Sequence, residues 1–247
     1  MLQPTIVSRQ EWLTARAALL AEEKAFTRAR DALARKRLEL PWVELEKTYV
    51  FDGPRGRETL ADLFAGRSKL ILQHFMFTPG WTEGCVGCSF NADHADGAMP
   101  HLTARDVSFA AVSRAPLADL EKFRRRMGWR FKWVSSGGGD FNYDFNVSFR
   151  KEDIAAGAAV YNYRPLDFDA EDLSGYSAFC KNPAGAIFHT YSTFARGDEM
   201  LGSAYMYLDI APKGRDEDGL ADPTSWWRHH DKYEAAPAEK AGCCHAP

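Results

Sequence analysis

The stretch Leu70-Ile71-Leu72-Gln73-His74-Phe75-Met76-Phe77-Thr78-Pro79-Gly80-Trp81-Thr82-Glu83-Gly84-Cys85-Val86-Gly87-Cys88-Ser89 decides the fold. Its first eight residues are an apolar run, which predicts a buried strand over residues 69–77. Pro79, Gly80 and Gly84 then break the backbone. Two cysteines follow at i and i+3, and the polar residues 89–96 can continue as a helix. Strand, loop and C-x-x-C at a helix start is the layout of a dithiol redox site. The unpaired amides of a helix N-terminus carry partial positive charge and stabilise an anion. They lower the pKa of the first thiol, Cys85, whose thiolate is the nucleophile. Cys88 lies one turn along on the same face, where it can attack a mixed disulfide at Cys85 and release the product. Glu83 opposes the shift, because a carboxylate raises a neighbouring thiol. Trp81 and Glu83 are expected to shape the approach to the pair.

Upstream, Glu58 to Phe64 reads as a short helix stopped by Gly66, and Asp52-Gly53-Pro54-Arg55-Gly56 as a turn. Val43, Leu45, Tyr49 and Phe51 alternate, which predicts one strand over residues 42–51. Ser8-Arg9-Gln10-Glu11 has the form of a capping box. Trp12, Leu19, Phe26 and Leu33 recur every seven residues, and neither proline nor glycine interrupts residues 9–40. One helix of ~45 Å follows, ended by Pro41. Its apolar stripe must bury against the chain's own core or form a homodimer interface.

Downstream, strands are expected at residues 105–112 and 129–134, with a helix over 117–127 between them. This alternation implies βαβ units and a largely parallel central sheet. Phe141 to Asn146 could line a pocket rim. Residues 158–163 read as a short strand, 176–180 and 186–194 as a hairpin, and 200–210 as a closing helix. Trp226-Trp227-Arg228-His229-His230-Asp231 reads as a docking segment, and 235–247 as a flexible tail.

The 31 Lys+Arg against 34 Asp+Glu leave a net charge of −3, which gives no footing for nucleic acid as a partner. No apolar run approaches the ~20 residues that span a bilayer, and the first residues lack a secretory pattern. No membrane association is expected, and the expected setting is the cytoplasm. Five cysteines, Cys85, Cys88, Cys180, Cys243 and Cys244, do not make a secreted disulfide framework.

Longer matches carry a family resemblance. They are Leu40-Pro41-Trp42-Val43, Tyr49-Val50-Phe51-Asp52-Gly53-Pro54, His74-Phe75-Met76-Phe77 and Glu83-Gly84-Cys85-Val86-Gly87-Cys88-Ser89. Val112-Ser113-Arg114-Ala115-Pro116, Asp140-Phe141-Asn142-Tyr143-Asp144 and His189-Thr190-Tyr191-Ser192-Thr193 continue them. Pro212-Lys213-Gly214-Arg215-Asp216-Glu217 and Trp227-Arg228-His229-His230-Asp231 complete the set. From Ser8 to Tyr233 the chain resembles a bacterial family of thioredoxin-like proteins known as a domain of unknown function. The resemblance implies an α/β fold: a thioredoxin-like central mixed sheet flanked by helices, with a long N-terminal helical extension. The implied division is 1–40 helical extension, 41–234 thioredoxin-like domain and 235–247 tail.

Two departures bear on the chemistry. Thioredoxins carry a cis-proline before the strand that faces the cysteines, whereas this chain has Leu173-Ser174-Gly175. Peroxiredoxins use Pro-x-x-x-Thr-x-x-Cys, and here Pro79, Thr82 and Cys85 are one residue short between proline and threonine. The leading reading is a thiol–disulfide oxidoreductase, with Cys85 as nucleophile and Cys88 as resolving thiol. Its substrate would be a disulfide-containing protein or a small-molecule thiol or peroxide. An external thiol reductant would recycle the pair, and no cofactor is required. Peroxide reduction through a sulfenic acid at Cys85 is the second reading. A non-catalytic metal-binding or scaffold protein is the third. Cys243, Cys244 and His245 are candidate ligands for a soft metal, while His94 and His101 stand near the C-x-x-C pair in sequence. His74 reads as a core histidine, Cys180 as a core thiol, and Arg114 and Arg196 as ion-pair residues or partners of an anion.

Overall fold

The computed structural model describes residues 4–234; Cys243, Cys244 and His245 lie outside them, as does the expected tail. The chain divides into two compact units, Met1–Trp42 and Val43–Pro247. The first is α1, Arg9–Leu38. Ser8 caps it: its hydroxyl accepts from the Glu11 amide at 3.3 Å, and the Glu11 carboxylate accepts from the Ser8 amide at 2.9 Å. Such a cap stabilises a helix start by about 1 kcal/mol. Arg35, Lys36 and Arg37 occupy the last turn, where they suit the negative end of the helix dipole. No residue of α1 is buried, and Phe26 is 69% exposed.

In the second unit β1 (Val43–Glu44), β2 (Val50–Gly53) and β3 (Gly56–Thr59) precede α2 (Leu60–Leu63) and β4 (Lys69–His74). Then come α3 (Val86–Ala104), β5 (Val107–Ser113), α4 (Leu117–Arg126), β6 (Lys132–Ser135), α5 (Phe141–Asp144) and α6 (Lys151–Ala155). A small pair, β7 (Val160–Tyr161) and β8 (Arg164–Pro165), leads to β9 (Gly175–Lys181), β10 (Ile187–Phe194) and α7 (Ser203–Leu208).

The main sheet runs β1-β10-β9-β4-β5-β6-β2-β3. Only the β4–β5 and β5–β6 ladders are parallel. The others are antiparallel, because hairpins rather than crossovers join β2 to β3 and β9 to β10. The sheet is thus mixed, not largely parallel. At its centre β4-α3-β5 is a parallel crossover, and β9 and β10 return antiparallel on the other side of β4. With the cysteine pair at the end of β4, this is the thioredoxin-like arrangement.

The single strand expected over 42–51 is two strands, β1 and β2, near opposite ends of the sheet. The link from Glu44 to Val50 spans at most ~20 Å, whereas a flat sheet would hold those strands ~29 Å apart at ~4.8 Å per step. The sheet must therefore curl. The closing helix expected at 200–210 is a 3₁₀ turn, Ala195–Leu201, then α7, with Gly202 between them.

Alternation along β4 sends Leu70 and Leu72 to one core with Phe51, Phe64, Val134 and Phe141. The residues after β4, Phe75 and Phe77, join Cys88, Leu120, Phe123, Trp129 and Trp133 in the other core, beneath α3 and α4. Helix α3 runs beyond its expected length, through Pro100. Pro100 has no amide to give the Asp96 carbonyl; the Arg130 guanidinium donates to that carbonyl instead, at 3.1 Å.

Candidate functional site

The chain leaves the sheet after His74 and stays tethered to it: the Phe75 amide donates to Val112 O at 2.9 Å, and the Ala115 amide to Phe77 O at 2.8 Å. It then loops back, and the Cys85 amide donates to Met76 O at 3.0 Å. Cys85 is the N-cap of α3. The Cys88 thiol, with the Cys88 and Gly87 amides at the helix start, lowers the Cys85 thiol to about 7. Burial and the charge of Asp198 act against them. Cys88 is 2% exposed. Its hydrogen bond to Cys85, its burial and the Cys85 charge all push its thiol well above the ordinary value. The Met76 amide donates to the Cys88 sulfur at 3.4 Å, and the Gln73 side chain donates to the Cys88 carbonyl at 2.9 Å. One half-exposed, acidic thiol thus stands beside one buried, weakly acidic thiol. Cys85, Cys88 and Cys180 are all free.

The pair forms one wall of a cavity of about 570 Å³. Phe90, Tyr205 and Trp227 supply apolar surface, and Ser174 stands where the cis-proline of thioredoxins would be sought. No cis peptide bond occurs among the described residues. Asp198, from the 3₁₀ turn after β10, faces the same cavity and is buried. Desolvation raises it to about 6, with the Glu199 charge adding to the rise and the Asn91 side chain opposing it. Tyr176 on β9 packs in the cluster that holds Cys88, and its buried hydroxyl has no partner among the described residues. Arg215 lies over the Tyr205 ring at 4.0 Å and is held by Glu199 and Asp209. Arg196 stands at the cavity rim, 89% exposed, paired with Glu199 at 3.1 Å.

A segment from the far end of the chain closes one side. Trp227 stacks on Phe90 with ring centroids 4.9 Å apart and planes 8° from parallel. It also abuts Gly87, where a Cβ would lie 2.8 Å from its ring. The buried His229 ring pairs with the Gly84 carbonyl at 2.9 Å. Lys232 reaches the Glu83 carboxylate at 2.8 Å, Arg126 bridges Glu83 and Asp231, and His230 meets Asp93 at 2.7 Å. The docking segment read from the paired tryptophans thus sits directly on the cysteine loop.

Of the sequence-derived site residues, Cys85 and Cys88 share this cavity. Glu83 is held by Arg126 and Lys232, and the Asp198 charge raises the Cys85 thiol. Trp81 is 43% exposed in the loop and does not line the cavity. His74 points to the opposite face: it bonds the Ser177 hydroxyl at 2.7 Å and stacks on Phe141 and Phe145. Burial lowers it to about 3, so it stays neutral and does not serve the thiols. Arg114 is clamped by Asp172 through Nε at 2.7 Å and Nη2 at 3.2 Å. Asp144, Phe145 and Asn146, from the segment read as a pocket rim, line a separate cavity of about 300 Å³. Among the described residues no group of three or more His, Cys, Asp or Glu side chains is arranged to hold a metal ion, and no helix is long and apolar enough to cross a membrane. Sequence reasoning missed Asp198, Tyr176, Tyr205 and Arg215; of these only Arg215 lay in a quoted motif.

A family profile described as bacterial protein of unknown function (DUF899) matches residues 1–233. No curated protein matches the chain. Among solved structures, the peroxidoxin BcpB from Mycobacterium tuberculosis is similar at 14% identity and a TM-score of 0.42, covering 66% of this chain and 95% of that one. A PrxQ mutant from Xylella fastidiosa gives 15% and 0.40, covering 64% and 89%. A putative thiol:disulfide interchange protein DsbE from Chlorobium tepidum gives 14% and 0.41, covering 67% and 97%.

Proposed function

This chain belongs to the bacterial family of unknown function DUF899, and from that premise we propose that it is a thiol–disulfide oxidoreductase working through Cys85 and Cys88. One observation carries the reading: the two thiols, a helical turn apart, have opposite environments. Cys85 is reachable from a cavity and lowered to about 7 by the Cys88 thiol and two amides. The lowered thiol carries more thiolate near neutral pH than an ordinary cysteine, and the thiolate is the attacking form. Cys88 is buried and held protonated until its neighbour has reacted. Attack by Cys85 on a disulfide breaks the S–S bond, leaves a mixed disulfide and expels one thiolate, which takes up a proton. That step removes the Cys85 negative charge and hydrogen-bond acceptor that kept the Cys88 thiol protonated. Cys88 then loses its proton, attacks the Cys85 sulfur and expels the second thiolate. Two electrons have passed to substrate, and an external thiol restores the dithiol. The expected setting is a reducing compartment, the cytoplasm.

Peroxide reduction is the weaker reading. Thr82 is exposed in the loop, and Arg114 is occupied by Asp172. Neither donor lines the cavity to hold a peroxide oxygen.

The test is equilibration of the full chain in graded thiol–disulfide buffers, with alkylation and peptide mass spectrometry. A reversible Cys85–Cys88 disulfide with a potential of about −270 to −120 mV is expected, together with loss of dithiol-dependent reduction in Cys85→Ser. A pair that never oxidises, or full activity in Cys85→Ser, overturns the proposal.

A further inference from the structure

Enzymes that exchange disulfides with proteins need open surface beside the attacking sulfur, because the partner's backbone must lie there as the three sulfurs line up. In this chain one side of that surface is covered. The segment from Pro223 to Lys232 runs along the cysteine loop: Trp227 abuts Gly87, the His229 ring pairs with the Gly84 carbonyl, and Lys232 pairs with Glu83. The Trp227–Phe90 stack and the Arg126–Asp231 bridge hold it down. What reaches Cys85 on the other side is a cavity of about 570 Å³. That lies within the range of small-molecule sites, ~300–1,000 Å³.

The lining describes the ligand. Phe90, Tyr205 and Trp227 offer aromatic faces. The lining arginines are answered by carboxylates, Arg215 by Glu199 and Asp209 and Arg196 by Glu199, while buried Asp198 adds an acidic group. Glu217 accepts from the Trp226 indole at 2.6 Å and the Tyr205 hydroxyl at 3.2 Å. Among the described residues both arginines of the lining, Arg196 and Arg215, are paired with carboxylates.

We infer that the substrate of this site is a small, uncharged disulfide with an apolar body, taken into the cavity, and that disulfides on folded proteins are excluded by the chain's own C-terminal segment. The inference rests on the oxidoreductase reading above. Its chemistry balances as the exchange already written: the small disulfide gains two electrons and two protons and leaves as two thiols, while Cys85 and Cys88 join. The returning reductant passes through the same cavity and is itself a low-molecular-weight thiol.

The experiment presents one disulfide in two forms. Reduced full-length protein is mixed with bis(2-hydroxyethyl) disulfide, or with a carrier protein bearing 2-hydroxyethanethiol as a mixed disulfide on an exposed cysteine. Oxidation of Cys85–Cys88 is followed by quenched alkylation. The free disulfide is expected to react at least about tenfold faster, and Trp227→Ala to narrow that gap by admitting the carrier. A second variant does not depend on removing a packed side chain. Thr224 is exposed at the cavity rim, and Thr224→Trp should slow the free disulfide about tenfold while the Cys85 titration stays near 7. Equal rates for free and carried disulfide, or a Thr224→Trp variant as fast as the parent, overturns the inference while the redox reading stands. Failure of every disulfide to oxidise the pair takes down both.

Discussion

At the scale of single residues the Asp198 carboxylate is held out of water close enough to both thiols to raise them. Its folded pKa of about 6 lies above the ordinary 3.8, with desolvation the leading cause. The protonated form is thus favoured in the folded chain. The stability this gives is full below the ordinary value and is lost as pH rises through about 6. Asp198→Asn removes the ionisation. The variant should be more stable than the parent at pH 7 by at most about 3 kcal/mol, with the advantage gone near pH 4. Denaturant unfolding at several pH values measures this. Removing the charge should also move the Cys85 titration below about 7; a thiol titration that does not move would refute the coupling. Cys85 and Cys88 were legible because their chemistry lies in a local spacing, i and i+3 at a helix start. Asp198 was not, because it reaches the thiols from 110 residues away and no local pattern marks it. The ion pairs of Glu83 were hidden for the same reason. Its partners Arg126 and Lys232 lie 43 and 149 residues away.

At the scale of elements the decisive contact is between the first turn of α3 and the C-terminal segment. Gly87 permits it. Alanine there would improve helix propensity by up to about 1 kcal/mol, so on local grounds Gly87→Ala should stabilise. But its Cβ would lie 2.8 Å from the Trp227 ring, too close for any real contact. The indole must shift and loosen its stack on Phe90, a contact of about 1 kcal/mol beyond burial. We expect faster amide hydrogen exchange across residues 223–232 in Gly87→Ala, with β4 and β5 unchanged. Unaltered exchange there would mean that the segment is held by its ion pairs alone. Elements whose pattern is local were readable: β4, β5, α4 and the β9–β10 hairpin fall close to where alternation and turn residues put them. Those set by distant partners were not. The continuous alternation of residues 42–51 conceals a passage between opposite ends of a curled sheet, and past Pro100 α3 has the Arg130 guanidinium donating to the freed carbonyl.

At the scale of the whole molecule the unsettled surface is α1. The thirty residues of the helix carry Trp12, Leu19, Phe26 and Leu33 on one stripe, 45%, 51%, 69% and 48% exposed. Burying a large apolar side chain yields ~1.5–3 kcal/mol. Eight of them across two copies would exceed the lower values for the cost of association, ~4–15 kcal/mol. The charges select an orientation. Residues 28–37 hold five Arg and Lys against one Asp, whereas residues 9–24 hold three against three Glu. A parallel pair would set two basic halves side by side; an antiparallel pair sets each basic half against a balanced one and brings Leu19 opposite Phe26. We therefore expect the full chain to sediment as a dimer at micromolar concentration, and Phe26→Glu to sediment as a monomer with its Cys85–Cys88 potential unchanged. The orientation has its own readout. Cysteine introduced at Trp12 should cross-link to cysteine introduced at Leu33 of the second copy, and not to its own counterpart. A monomeric parent removes the interface; cross-linking of Trp12→Cys to itself keeps a dimer but reverses its direction.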